Sequence, residues 1–206
     1  MATAGKNARI RVMSNAAPVT FTDEATTANA TRTEYKITNP VKKYWDKGTP
    51  VVVTVTPANT ISRWVRHAGG VVIFDQPLDV GATVTVSGAY VTTALAAEVS
   101  EYNVTLANPT TDVSVLEVEG RRKISTYTDA TGTITGFYNV NNLFQDKILE
   151  AKPVIIEMDF DSTNEDGEVF AVYARLNNHE VSSAVDGAVG TTVGWESDGA
   201  ITIDAK

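Results

Sequence analysis

Apolar and polar residues alternate along most of this chain, and alternation at period two marks strands with one buried face. In VVVTVT, Val51, Val53 and Val55 share one face while Thr54 and Thr56 share the other. The run TVTVS repeats the theme with Val84 and Val86 inward, and Tyr35 and Ile37 alternate with charged residues in EYKI. A first short strand is predicted near PVTFT. Asn39-Pro40, Lys47-Gly48, Gly69-Gly70, Gln76-Pro77 and Asp79 to Gly81 punctuate the runs as turns. β-branched residues dominate, as a pleated, half-buried surface favours. Near TALAAEV, residues 93–99, the pattern lapses. Beyond it come YNVTL, VSVLEVEG, RKISTYT, GTITGFYNV, VIIEMDF, EVFAVYARL and shorter strands near VSSAV, TTVGW and AITI. The expected organisation is a weakly patterned N-terminal arm over 1–15, a β subdomain over 16–96 and a core over 97–206.

One stretch breaks the alternation. Val140, Leu143, Phe144 and Ile148 fall at helical spacing and form one apolar stripe. Asn139 or Asn141 can cap its start and Pro153 ends it. A helix over about 140–151 is too short to stand alone, so it must pack on a sheet. The strand that follows has two unlike faces. Val154, Ile156, Met158 and Phe160 point one way; Ile155, Glu157, Asp159 and Asp161 point the other. Carboxylates two residues apart on a strand stand roughly 6.6 Å apart, and such a row is expected to face water. It is either a plain exposed sheet face or a surface that repels anions.

Charge sharpens the second possibility. The net charge of −8 is split unevenly. Residues 1–100 hold ten Lys and Arg against seven Asp and Glu, and residues 101–206 hold seven against eighteen. The acidic half should repel a nucleic-acid backbone rather than grip it. Otherwise the chain has an ordinary globular composition, with 43% hydrophobic and 20% charged residues in 206. It has no cysteine, which excludes disulfides and thiolate metal sites. No apolar run approaches the roughly 20 residues of a spanning helix. The N-terminus lacks the apolar segment of a secretory signal, so a soluble, unexported protein is expected.

Catalytic motifs are missing. There is no phosphate-binding glycine loop and no G-x-S-x-G elbow. His67, beside Arg66 and a Gly-Gly turn, reads as an exposed loop residue, and His179 as part of a tight turn. DFDSTNEDGE fails as a calcium loop, because Thr163 and Asn164 stand where a ligand and a glycine are needed. A polar hairpin loop ending in Asp166-Gly167 fits better. Arg121-Arg122-Lys123 has no interleaved aromatic platform, and is a solvated loop or a contact to acidic groups on a neighbour. Trp45, Trp64 and Trp195 read as core or interface anchors.

The order of strand pair, single short helix, strand–loop–strand pair and glycine-bearing last strand resembles the tail tube (major tail) proteins of long-tailed, non-contractile bacteriophages. GTITGFYNVNNLFQDKILEAKPVIIEMDF, EVFAVYARLNN and VGTTVGWES carry the resemblance, over roughly 100–206. EYKITNPVKKYWDKGTP, GGVVIFDQP and VTVSGAYV look like a module that recurs in phage tail and head–tail joining proteins.

The resemblance implies a mainly β fold, a β-sandwich or partial barrel with one short α-helix. It implies hexameric rings that stack into a hollow tube, with sheets joining between subunits into a ring-shaped barrel. A barrel of about sixteen to eighteen strands already holds a channel, and closure removes exposed sheet edges. The genome passes through the lumen without specific binding. On this reading Glu157, Asp159 and Asp161 are lumen-facing candidates. Arg121, Arg122, Lys123 and Asp166 are inter-subunit candidates, and the arm with loops 107–112 and 161–167 meets the next ring. Val140, Leu143, Phe144 and Ile148 are the helix's core contacts. The other partners implied are tape measure, terminator and baseplate or tip proteins. The place is the virion tail, assembled in the bacterial host cytoplasm. No enzymatic activity, cofactor or metal is expected. The alternatives are a head–tail connector or tail terminator ring, the tube protein of a contractile secretion system, and an Ig-like surface-binding module.

Overall fold

The computed structural model describes residues 8–96, 99–108, 110–112, 123–125, 128–137, 144, 147, 150–164, 167–183 and 189–205. The fold is mainly β, built from a strongly curled nine-stranded sheet and a separate six-stranded one. In chain order the strands are β1 (Arg9–Met13), β2 (Val19–Ala28), β3 (Glu34–Ile37), β4 (Val52–Thr56), β5 (Arg63–Arg66), β6 (Val71–Phe74), β7 (Thr83–Tyr90), β8 (Thr93–Leu95) and β9 (Val99–Tyr102). Then follow β10 (Thr105–Ala107), β11 (Thr110–Asp112), β12 (Lys123–Ser125), β13 (Asp129–Phe137), β14 (Val154–Asp159), β15 (Glu168–Ser182), β16 (Gly190–Ser197) and β17 (Thr202–Ala205).

The smaller sheet runs β4-β7-β2-β3-β6-β5 and encloses its own core. Alternation works there as the sequence implies: Val84 and Val86 are buried beside Phe21, Tyr35, Trp45 and Val72, and Val51, Val53 and Val55 pack against them. The chain turns back between β5 and β6 at Gly70, whose φ of +62° favours glycine. A Cβ there would also lie 2.7 Å from the Ile37 side chain.

The larger sheet runs β10-β13-β16-β15-β14-β1-β8, with β9 added to β13 and β17 to β15. β11 and β12 form a separate two-stranded ribbon. β15 is the common strand. Its first half pairs with β14 from Val169 to Ala174, and its second half pairs with β16 from Ala174 to Ser182. The sheet therefore curls over itself and closes on a core of Ile10, Val12, Ile134, Val154, Ile156, Met158, Val172, Val193 and Trp195. Gly132 lets β13 pass close to the Trp195 ring and the 103 backbone, since a Cβ would sit 2.7 Å from that ring and 2.2 Å from the Asn103 carbonyl oxygen. Part of the expected arm is thereby drawn into the sheet as β1.

The interrupting helix is present at the described positions: Phe144, Lys147 and Glu150 are helical. Phe144 lies buried in the larger core, and Lys147 pairs with Glu150 at 3.7 Å. Val140, Leu143 and Ile148 lie outside the described residues. Ala151, at φ +52°, turns the chain out of the helix two residues before Pro153.

Candidate functional site

The two sheets meet over the outer side of β14 and β15. Ile155, Ala171 and Tyr173 point away from the larger core and are buried against Tyr44, Ala68 and Val91. The Tyr173 hydroxyl donates to the Trp45 carbonyl at 2.5 Å, fastening one sheet to the other. Burial pushes the Tyr173 phenol well above its ordinary pKa, with nearby Asp46 adding to the effect.

This contact corrects the expectation of one row of wet carboxylates, because the row divides into different surroundings. Glu157 keeps only 14% of its side chain exposed. It accepts a hydrogen bond from the Tyr44 hydroxyl and lies 3.4 Å from Lys43 Nζ and 3.9 Å from Arg11 Nε. Burial raises the Tyr44 phenol, and the Glu157 charge and hydrogen bond raise it further. Asp159 and Asp161 instead organise the turn toward β15. Asp159 Oδ1 accepts from the Asp161 amide, and Asp161 Oδ1 accepts from the Thr163 amide and hydroxyl. Such local bonds are the usual business of Asp in turns. Tyr102 donates to the Asp159 carbonyl at 2.8 Å; burial, then the Asp159 charge, pushes its phenol up to about 12.

The remaining sequence candidates scatter. Arg121, Arg122 and Asp166 lie outside the described residues; Lys123 opens β12, and its side chain is outside them too. His67 is not in an exposed loop but half-buried where the sheets meet, edge-on to the Tyr173 ring at 6.5 Å. Burial lowers its pKa, Lys47 lowers it further and Asp46 opposes them. His67 lines a cleft of about 410 Å³ with Lys47, Trp64, Arg66, Tyr173 and Asp198. The Asp198 carboxylate there is shared by Lys47 at 3.4 Å and Arg175 at 3.3 Å. His179 is not in a turn either. It sits within β15, its ring 2.9 Å from the Thr191 hydroxyl. Trp45 and Trp195 are core anchors, whereas Trp64 is exposed on β5 at the edge of the smaller sheet. Among the described residues no group of three or more His, Asp and Glu side chains could hold a metal ion.

What the sequence did not disclose is a backbone edge that is unpaired among the described residues. From Arg175 to Ser182, β15 pairs with β16 on one side, while β14 stops at the Val154–Ala174 pair on the other. Among the described residues no strand pairs with that second edge. The overhang carries Leu176, Asn177, Asn178, His179, Glu180 and Val181, with Val181 exposed. An exposed strand edge is a template for another strand.

No family model matches the chain, and no curated protein matches it in sequence. Among solved structures, a chain in the tail of an empty gene transfer agent particle, refined with C6 symmetry, is similar in fold. It shows 12% identity and a TM-score of 0.46, covering 55% of this chain and 87% of that one. A chain of the virion of a native gene transfer agent particle gives 12% identity and 0.44, covering 55% and 89%. The SPP1 tail tube gives 15% identity and 0.44, covering 56% and 69%.

Proposed function

We propose that this chain is a structural subunit of a phage tail tube, forming hexameric rings that stack into a hollow conduit for DNA. The observation that carries the reading is the overhang of β15, whose second edge is unpaired among the described residues. A soluble monomer normally blunts such an edge with charge, proline or a covering loop. Here the overhang has no proline; its charges are Arg175, paired with Asp198, and Glu180, and its register shifts once, between Leu176 and Asn178. Pairing it with a strand of a neighbouring copy satisfies its backbone, and a closed ring of copies leaves no free edge.

In this arrangement Arg121, Arg122, Lys123 and Asp166 serve contacts between copies, and the loops at 107–112 and 161–167 meet the adjacent ring. The partners are further copies of the chain and the tail proteins at the two ends of the tube. The site of action is the virion, after assembly in the host cytoplasm. The role is architectural and calls for no cofactor.

Negative-stain microscopy with light scattering on the purified protein tests this directly. Hollow tubes, or six-subunit rings, are the expected result. A strict monomer at high concentration, with or without tail partners, would overturn it.

A further inference from the structure

The larger sheet has two outward faces, and they differ completely. The face over β1, β14 and the first half of β15 is covered from the side of the smaller sheet, where Tyr44, Ala68 and Val91 bury Ile155, Ala171 and Tyr173 and Lys43 pairs with Glu157. A face carrying a whole second sheet has no room to border a channel. Among the described residues, the contact with the smaller sheet does not extend to the face over β13, β16 and the second half of β15. Register sets Thr131, Thr133 and Thr135 of β13 beside Glu196, Gly194 and Thr192 of β16. It then sets Gly194 and Thr192 beside Asn178 and Glu180 of β15. Thr131, Thr133, Glu196, Asn178 and Glu180 are exposed.

We propose that this threonine-rich face, rather than the Glu157 strand, is the surface along which duplex DNA slides. The inference rests on the tail tube reading given above. Its chemistry suits a polyanion that must pass without stopping. Lysine or arginine on the surface would release counterions on meeting phosphates and hold the DNA in place. Neither β13 nor β16 contains one. Among the described residues of the face the cation is Arg175, already paired with Asp198. Glu180 and Glu196 add a mild repulsion. Threonine side chains are short and stiff at χ1, so they present hydrated hydroxyls and few long groups to catch on the DNA. Several are further restrained: Asn103 donates to the Thr133 hydroxyl at 2.6 Å, and Thr135 and Thr192 hydroxyls lie 3.4 Å apart.

The chain has no cysteine, so one introduced thiol reports on one place. Thr131→Cys marks the proposed channel face, Glu180→Cys marks it independently, and Thr54→Cys marks the exposed side of the smaller sheet. Each variant is assembled, and tubes are confirmed by microscopy before any reagent is added. Two maleimides are then compared: N-ethylmaleimide, and a maleimide attached to serum albumin, which is too wide for a bore sized for DNA. In separated subunits both reagents reach all three thiols. In tubes, the albumin reagent is expected to lose at least an order of magnitude in rate at Cys positions 131 and 180 and to keep its rate at 54, while N-ethylmaleimide still reaches all three. Undiminished albumin labelling at 131 and 180 would place the face outside and overturn the proposal. Loss of the small reagent as well would show another copy covering the face, and would overturn it too. If the unsubstituted protein never forms tubes, the underlying reading fails first and this inference falls with it.

Discussion

Glu157 shows how far a single residue's role depends on partners distant in sequence. Its carboxylate, mostly removed from water, is compensated by Lys43, Arg11 and the Tyr44 hydroxyl. Removing it leaves a buried hydroxyl and a partly buried ammonium short of a partner. Glu157→Ala should therefore cost about 2 kcal/mol in urea unfolding. Glu168→Ala, at an exposed position on β15, should stay within about 0.5 kcal/mol of the unsubstituted protein. Equal effects at the two sites would contradict the compensated-charge account. Glu157→Gln keeps an acceptor for Tyr44 and should fall between them. The alternation of β14 was legible, and Val154, Ile156 and Met158 are buried as it implies, whereas Phe160, expected on the same face, lies past the end of the strand and is exposed. The fate of the opposite face was not, because its cover comes from Tyr44, Ala68 and Val91, many residues away. Periodicity reports that a strand has two faces; it carries no information on what is laid over each.

At the scale of elements, β15 is the decisive strand. EVFAVYARL was readable as a strand, and Asn177-Asn178 as a turn, since asparagine favours turns. Instead the register shifts between Leu176 and Asn178, and the strand continues to Ser182. A bulge absorbs one residue and bends the strand, so the local turn signal was real but produced a kink rather than an end. The bend falls just inside the overhang, two to four residues beyond the last pair with β14. Hydrogen exchange tests the overhang without any substitution. In the separated subunit, the amides of 175–182 that point away from β16 should exchange quickly, and those of Val169–Ala171, flanked by β14 and β17, slowly. On assembly the overhang amides should become protected, while the smaller sheet's β2 and β7 change little. Overhang amides that stay fast in assembled tubes would mean the copies are not joined there.

At the scale of the whole molecule, two cores that could unfold separately are fastened by a third. The smaller core surrounds Trp45, the larger surrounds Trp195, and the contact of Tyr44 and Tyr173 with Ile155 lies between them. Tyr44 is the hinge of this contact, because its ring is buried and its hydroxyl is bonded to Glu157. Its removal should cost roughly 4 kcal/mol, and nearly all of that falls on the coupling rather than on either core. The tryptophans allow each core to be followed alone. Trp64 is exposed and replaceable by Phe, and among the described residues neither Trp45 nor Trp195 has a hydrogen-bond partner for its indole N–H, so Phe there loses packing volume but none of the described bonds. With Trp64→Phe/Trp195→Phe reporting on the smaller core and Trp45→Phe/Trp64→Phe on the larger, urea unfolding should give coincident transitions when Tyr44 is present. Adding Tyr44→Ala should pull the two transitions apart. Transitions already separate with Tyr44 in place, or still coincident without it, would show that the contact between the sheets does not couple them. Coupling matters for a tube, because a subunit pulled at the β15 edge must pass load to the sheet behind it without shedding the smaller one.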